Sequence, residues 1–320
     1  MRREYTTWLI VAAVIVAAFG GTVVVLNATL YSAGGFVRSY LDSLARQDVD
    51  GALELAGTVA PGDASDELLV RGAMGGLSDI RLISDDTDSS GTHRVVYGFT
   101  SGGKSGQSTF SVRPKGTLLG LFTTWRFESS PLGVLQVLPK HGTEFTVNGV
   151  EAQAASPDQP APYLVFVPGT YELAAESLYL EASPTRVTAS QAGAAVIAPV
   201  DLQPTAAFVA QVQKELDAYL DDCATQQVLL PTGCPFGEQI ANRIISTPAW
   251  SISRYPEVTL VPGPDAGSWL MPPTDAAAHL VVDVRSLFDG TVSTFDEDVP
   301  FTSSYLVTFL PDDELLISAR

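Results

Sequence analysis

Residues Trp8–Leu26, WLIVAAVIVAAFGGTVVVL, run without a single charged side chain, and only Gly20, Gly21 and Thr22 dilute their apolar character. At about 1.5 Å of rise per residue, a helix of this length spans roughly the 30 Å hydrocarbon core of a bilayer. Arg2 and Arg3 precede the run. The positive-inside bias then predicts a cytoplasmic tail at 1–7, a transmembrane helix at 8–27 and an extracytoplasmic remainder. A cleaved secretory peptide is the alternative; it needs a shorter apolar core and small residues before the cut. The best cut, after Tyr31-Ser32-Ala33, places a bulky tyrosine there, and no Cys follows closely enough for a lipoprotein anchor. The expectation is an uncleaved single-pass anchor in the cell membrane.

Beyond the anchor, about 290 residues suggest two or three domains of ordinary size. Hydrophobic residues make up 46% of the chain, which marks it as globular rather than disordered. Its net charge is −18, from 36 acidic and 18 basic residues. Binding a polyanion requires a basic patch, so nucleic acid is not an expected partner. The same balance opposes lying flat on an anionic lipid surface.

Cys223 and Cys234 are the only cysteines, and both fall in the extracytoplasmic part. In an oxidising compartment an isolated close pair reads as a structural disulfide. Redox chemistry favours a two-residue spacing, and zinc needs two more ligands than the scattered His93, His141 and His279 supply. No metal or cofactor is expected.

Phe36, Val37, Tyr40, Leu41 and Leu44 recur at helical spacing, followed by Val49, Leu53 and Leu55. Asp48 and Asp50 mark a second helix start, and Gly57 with Pro61 its stop. The period then falls towards two. Strands are expected at 80–83, 94–100, 108–113 and 121–127, with turns at 85–91, 101–106 and 114–116. Helices followed by an antiparallel sheet make an α+β domain at 34–130. Short strands around the Asn148-Gly149 hairpin signal and the Pro168-Gly169 turn suggest a small β-sandwich at 132–202. Phe208, Val209, Val212, Leu216 and Leu220 then repeat the opening helix pattern. Strands are expected at 251–254, 258–261, 280–285, 304–310 and 314–317. Residues 204–320 read as a second α+β domain, carrying the disulfide.

The Phe36-Val37-x-x-Tyr40-Leu41-x-x-Leu44 helix beside an anchor, with a sheet ending in Thr124-Trp125-Arg126-Phe127, resembles the NTF2-like extracytoplasmic domains of bacterial envelope proteins. Val147-Asn148-Gly149 and Val167-Pro168-Gly169-Thr170-Tyr171 are similar to small β modules placed between such domains. The whole order resembles anchored proteins of the TcaA type, linked to glycopeptide sensitivity and envelope maintenance. Cys234-Pro235-Phe236-Gly237 resembles envelope proteins of high-GC Gram-positive bacteria. TcaA-type chains often begin with a zinc ribbon, whereas this chain has no Cys before the anchor. The resemblance implies two NTF2-like domains flanking a β-sandwich, and an envelope location.

Gly98-Phe99-Thr100-Ser101-Gly102-Gly103-Lys104-Ser105 fits the P-loop spacing, but strand alternation follows it where a helix is required. A glycine-rich hairpin turn is expected there, with no nucleotide. No nucleophile elbow occurs, and no histidine sits in a context that marks a base. The acidic groups Asp85-Asp86-Asp88, Asp296-Glu297-Asp298 and Asp312-Asp313-Glu314 read as solvated turns. No catalytic residue is therefore assigned, and the chain is read as a non-enzyme. Tyr97, Phe99, Phe110 and Trp125 are candidates to line an NTF2-like cone in the first domain, as are Trp250, Tyr305 and Phe309 in the last. Core packing is the competing reading. Trp269, between Gly267 and Pro272-Pro273, is a candidate exposed binding residue or is tucked on the sheet. The expected partners are the membrane and a cell-wall component or envelope protein. A ligand-free structural spacer is the alternative, with an envelope hydrolase third.

Overall fold

The computed structural model describes residues 2–57, 62–310 and 314–320; Pro61, Asp312 and Asp313 lie outside the described residues. The chain is α+β, with an apolar N-terminal helix and mostly antiparallel sheets that include a curled half-barrel. The first helix, α1 (Arg2–Ala28), contains a 21-residue stretch, Trp8–Ala28, with mean hydropathy 2.8. Its length and composition are consistent with a single-pass membrane anchor.

A tight elbow separates α1 from α2 (Ala33–Ala45). Ser32 caps α2 by accepting from the Gly35 amide at 2.9 Å. A Cβ on Gly35 would lie 2.2 Å from the Thr29 carbonyl oxygen, so the elbow requires glycine. Asp48 caps α3 (Val49–Ala56), and Gly57 ends it at φ 78°, as the sequence signals predict.

The strands β1 (Leu77–Thr87), β2 (His93–Ser101), β3 (Lys104–Leu118) and β4 (Phe122–Phe127) form an antiparallel meander in sequence order. Val37, Tyr40, Leu41 and Leu44 of α2 bury against Val95, Tyr97, Phe110 and Val112 of this sheet. The P-loop-like run is the β2–β3 hairpin: Ser101 pairs with Lys104 around Gly102 (φ 57°) and Gly103 (φ 76°). Its flanking amides belong to the strand ladder.

The turn expected at 114–116 is instead an irregularity within β3, between Pro114 and Gly116, and the chain reverses at Leu119-Gly120. Because β2 begins opposite Val112, β3 beyond that point pairs with β4 alone. Proline is tolerated on such an edge, where its missing N–H breaks no central ladder. Residues 113–126 thus form a two-stranded ribbon beyond the sheet. Asn27 clasps it to α1, with Nδ2 donating to Leu121 O at 2.8 Å and Oδ1 accepting from Thr123 N at 3.1 Å.

The middle region adds β5 (Leu132–Lys140), β6 (Glu144–Val147), β7 (Val150–Gln153), β8 (Ala161–Phe166), β9 (Gly169–Glu176), β10 (Leu180–Ala189), β11 (Ala195–Asp201) and β12 (Gln203–Pro204). They form two sheets, ordered β12-β10-β9-β6-β7 and β11-β5-β8, with β11 parallel to β5. Leu135, Val137, Val147, Val165, Tyr171 and Leu173 fill the space between them. Leu68 and Ala73 join that core, and Ser65 bridges to Tyr163. The 65–73 segment, read from sequence as part of the first unit, therefore also packs on the sandwich.

The last region comprises α4 (Ala206–Ala224), β13 (Arg243–Ile244), β14 (Ala249–Arg254), β15 (Val261–Pro262), β16 (Ser268–Arg285), β17 (Val292–Phe309) and β18 (Leu315–Ala319). Thr205 caps α4, whose Phe208, Val212, Leu216 and Leu220 are buried. The helix-then-sheet order of the first unit recurs, but the strand arrangement differs. Here an 18-residue pair, β16 and β17, forms the spine, and β13, β14 and β15 all pair with β16.

Cys223 and Cys234 are bonded, joining the end of α4 to the following loop with Cα atoms 5.8 Å apart. Replacing both cysteines by alanine should lower stability by about 2–4 kcal/mol. Denaturant unfolding checks this; an unchanged midpoint would remove the bridge from the stability of this unit.

Candidate functional site

Of the aromatic candidates, Tyr97, Phe99, Phe110, Trp250 and Tyr305 are buried in hydrophobic cores, and Trp125 and Phe309 are half-buried against them. Tyr97, Phe99 and Phe110 are buried beneath α2. The Tyr97 hydroxyl donates to Gly34 O at 2.9 Å, and Tyr40 fills the centre, edge-on to Phe110 at 6.1 Å. Trp125 is half-buried at the rim, where Nε1 donates to Tyr31 O at 2.7 Å and the indole meets His93 edge-on. In the last region Trp250 donates to Val228 O at 2.8 Å and packs on Phe236. Burial pushes the Tyr305 hydroxyl up to about 12.

Of the two readings of Trp269, exposed for binding or tucked on the sheet, the structure shows the second. It is 0% exposed, inside β16, opposite Val307 on one side and Pro262 on the other. The Gly263–Gly267 segment makes the turn before it, and Pro272-Pro273 falls at a ladder irregularity after Met271, so the strand survives both prolines. Its ring lies edge-on to Phe208 and to His141, which joins the last region to the sandwich. Its buried Nε1 has no hydrogen-bond partner among the described residues.

An open cleft of about 920 Å³ lies where the sandwich meets the last region. Glu67, Glu144, Glu151 and Glu176 supply acid to its lining, with Tyr179 and Phe309 adding aromatic surface. No Lys or Arg lines it among the described residues. Phe309 is the one cone candidate that reaches this cleft; it packs against Phe208 and Tyr179 at 5.1 and 6.0 Å. The volume suits a small-molecule or peptide segment, and the charge favours a cationic one. Its residues come from positions 67 to 309, so no local sequence signal marks it.

Each histidine ring meets carboxylates. His93 Nδ1 lies 2.7 Å from Asp85, and His141 stands between Asp158 and Asp201 at 4.0 and 3.7 Å. His279 is held on both nitrogens, by Asp296 and Asp298 at 2.9 Å each. Asp296-Glu297-Asp298 is accordingly part of β17, not a turn: its residues pair with Val281, Leu280 and His279 across the ladder. A strand places Asp296 and Asp298 on one face, which is how both reach one ring. Among the described residues no group of three His, Cys, Asp or Glu side chains is placed to hold a metal ion.

The hydrogen bond to Asp298, reinforced by Asp296, raises the His279 pKa above its ordinary 6.5. A raised folded pKa contributes stability fully below the unfolded value and loses it as pH rises through the folded one. The His279 ring signals should therefore titrate above 6.5, and Asp298→Asn should lower that midpoint. An unshifted midpoint in the variant, followed by NMR, would remove Asp298 as the cause.

The ribbon at 113–126 escaped the sequence reading because Pro114–Gly116 mimics a turn. Its available signal was Arg113, Lys115 and Arg126 around three leucines, without one acidic residue. No family model, curated protein or solved structure matches this chain.

Proposed function

We propose that the chain is a single-pass envelope protein, cytoplasmic at its N-terminus, whose extracytoplasmic units form a non-enzymatic scaffold for another envelope protein. In this reading the two helix-on-sheet units are NTF2-like and flank the β-sandwich. The carrying observation is that both sheets are filled by their own helices: Tyr40 and Leu41 occupy the first, Phe208 and Leu216 the last, all nearly or fully buried. A filled cone leaves surface for a protein partner and no interior for a small ligand. The clasp of Asn27 on the ribbon supports the same reading, since it fixes the units to the anchor.

The acidic cleft favours a second reading, in which it takes an amine-bearing cell-wall component. A thermal-shift panel of muropeptides, lipid-linked wall precursors, glycopeptides and divalent cations separates the two. A ligand at a hundredfold its dissociation constant adds about 2.7 kcal/mol to stability. A saturable shift lost in Glu151→Gln would establish the second reading. A flat panel, with one protein crosslinked in intact cells from the cleft rim, is expected for the scaffold.

A further inference from the structure

The ribbon combines an apolar tip with a basic root. Leu119 is 83% exposed, and Leu118 and Leu121 are exposed beside it. Arg113 and Arg126 face each other across the ladder nearer the sheet, with Lys115 next to them. No Asp or Glu falls between Arg113 and Arg126, although acidic residues outnumber basic ones 36 to 18 in the chain. Leu119 has φ 54° and Gly120 φ 70°. Asn, Asp or Gly is the usual choice for the first of two such turn residues, and the Asn148-Gly149 turn follows that rule. A leucine there gives up backbone ease for an exposed apolar side chain.

Hydrogen bonds fix where this tip points. Trp125 Nε1 reaches Tyr31 O, Thr123 N reaches Asn27, and Asn27 Nδ2 reaches Leu121 O. Moving along β4 towards the tip therefore moves back along α1 towards its apolar span. From Trp8 to Ala28 the half-buried residues of α1 are Val23, Leu26 and Asn27. They share one helical face, so the ribbon covers that face down to the last apolar turn. Tyr31 stacks on Phe122 at 4.5 Å, with Trp125 next to them. Aromatic residues of this kind gather at membrane–water interfaces.

Resting on the reading of α1 as a membrane anchor, we propose that the ribbon tip inserts into the lipid leaflet from which α1 emerges. Leu118, Leu119 and Leu121 enter the acyl-chain edge, while Arg113, Lys115 and Arg126 meet lipid phosphates. The bilayer is the occupant because the tip is tied to the end of the spanning helix. The chain then holds the membrane at two points, a helix and a hairpin, and the first sheet stands on both.

Full-length variants Leu119→Cys, Val16→Cys and Lys104→Cys, each carrying an environment-sensitive fluorophore, test this in phosphatidylcholine–phosphatidylglycerol vesicles. The native cysteines are bonded and do not compete for label. Val16 reports the anchor; Lys104, at the opposite end of the same sheet, reports water. Nitroxide lipids labelled high on the acyl chain should quench the Leu119 probe several-fold more than the Lys104 probe. Nitroxides deep in the chain should quench the Val16 probe. Quenching at Val16 with Leu119 no better quenched than Lys104 overturns the insertion and leaves the anchor standing. An unquenched Val16 probe overturns the anchor itself and the insertion with it. A Leu121→Cys probe should lose quenching when Leu119→Asn is added; no loss would overturn Leu119 as an inserting residue.

Discussion

Phe208→Ala is expected to lower the stability of the last region by about 3–5 kcal/mol, the cost of deleting a large aromatic from a packed core. Phe208 is 0% exposed and is the first buried residue of α4. It packs against Phe309 at 5.1 Å, Tyr179 at 5.4 Å and Trp269 at 6.2 Å. Tyr179 lies between β9 and β10 of the sandwich, so one side chain joins two cores. Truncation leaves a void that three rigid rings cannot readily collapse to fill. Phe288, 99% exposed, provides the contrast; Phe288→Ala should change stability by no more than about 0.5 kcal/mol. Urea unfolding of both variants decides the matter. Equal midpoint shifts would show that Phe208 does not hold these cores together.

Asn148→Ala is expected to cost about 2–4 kcal/mol, from lost hydrogen bonds and from backbone strain. Its Nδ2 donates to Ala73 O at 2.8 Å and to Thr170 O at 3.2 Å, and its Oδ1 accepts from Glu172 N at 2.8 Å. The side chain thus ties the segment before β1 to the β6–β9 pair. Its backbone is left-handed, at φ 50°, which asparagine tolerates better than alanine does. Asn148→Gly removes the same hydrogen bonds without that strain, so it should be less damaging than alanine by about 1 kcal/mol. Identical losses in the two variants would eliminate the backbone part. No loss in either would eliminate the clasp.

Local chemistry made much of this fold legible. Asp48 and Gly57 bound a helix because a carboxylate caps free amides at one end and a glycine adopts a positive φ at the other. Asn148-Gly149 and Gly102-Gly103 announced their hairpins for the same kind of reason. Cys223 and Cys234 are close in sequence and have no competing cysteine, and their pairing was readable from that spacing.

The failures occurred where partners decide. Pro114 and Gly116 usually end strands, but an edge ribbon demands little of either. Trp269 sits among Gly and Pro residues, and its burial comes from Phe208 and His141, far away in the chain. Asp296 and Asp298 resemble a turn until His279 on the neighbouring strand supplies a ring nitrogen to each. The cleft had no linear signature, because Glu67, Glu151 and Phe309 meet only after folding.

Asn27 of α1 and Tyr31 of the elbow after it hold the ribbon at two heights, through Leu121 and Thr123 and through Trp125, so the joint between the first helix and the sheet is pinned at two points. A spanning helix leans when its apolar length exceeds the thickness of the surrounding bilayer. With a free joint that lean would stop at the surface; with this one it carries into the sheet and on to the sandwich packed beyond it. Displacement grows with distance from the pivot, so the far unit swings most. If α1 spans a bilayer as proposed, the molecule behaves as a mast whose rake follows the deck, and membrane thickness sets the bearing of the acidic cleft.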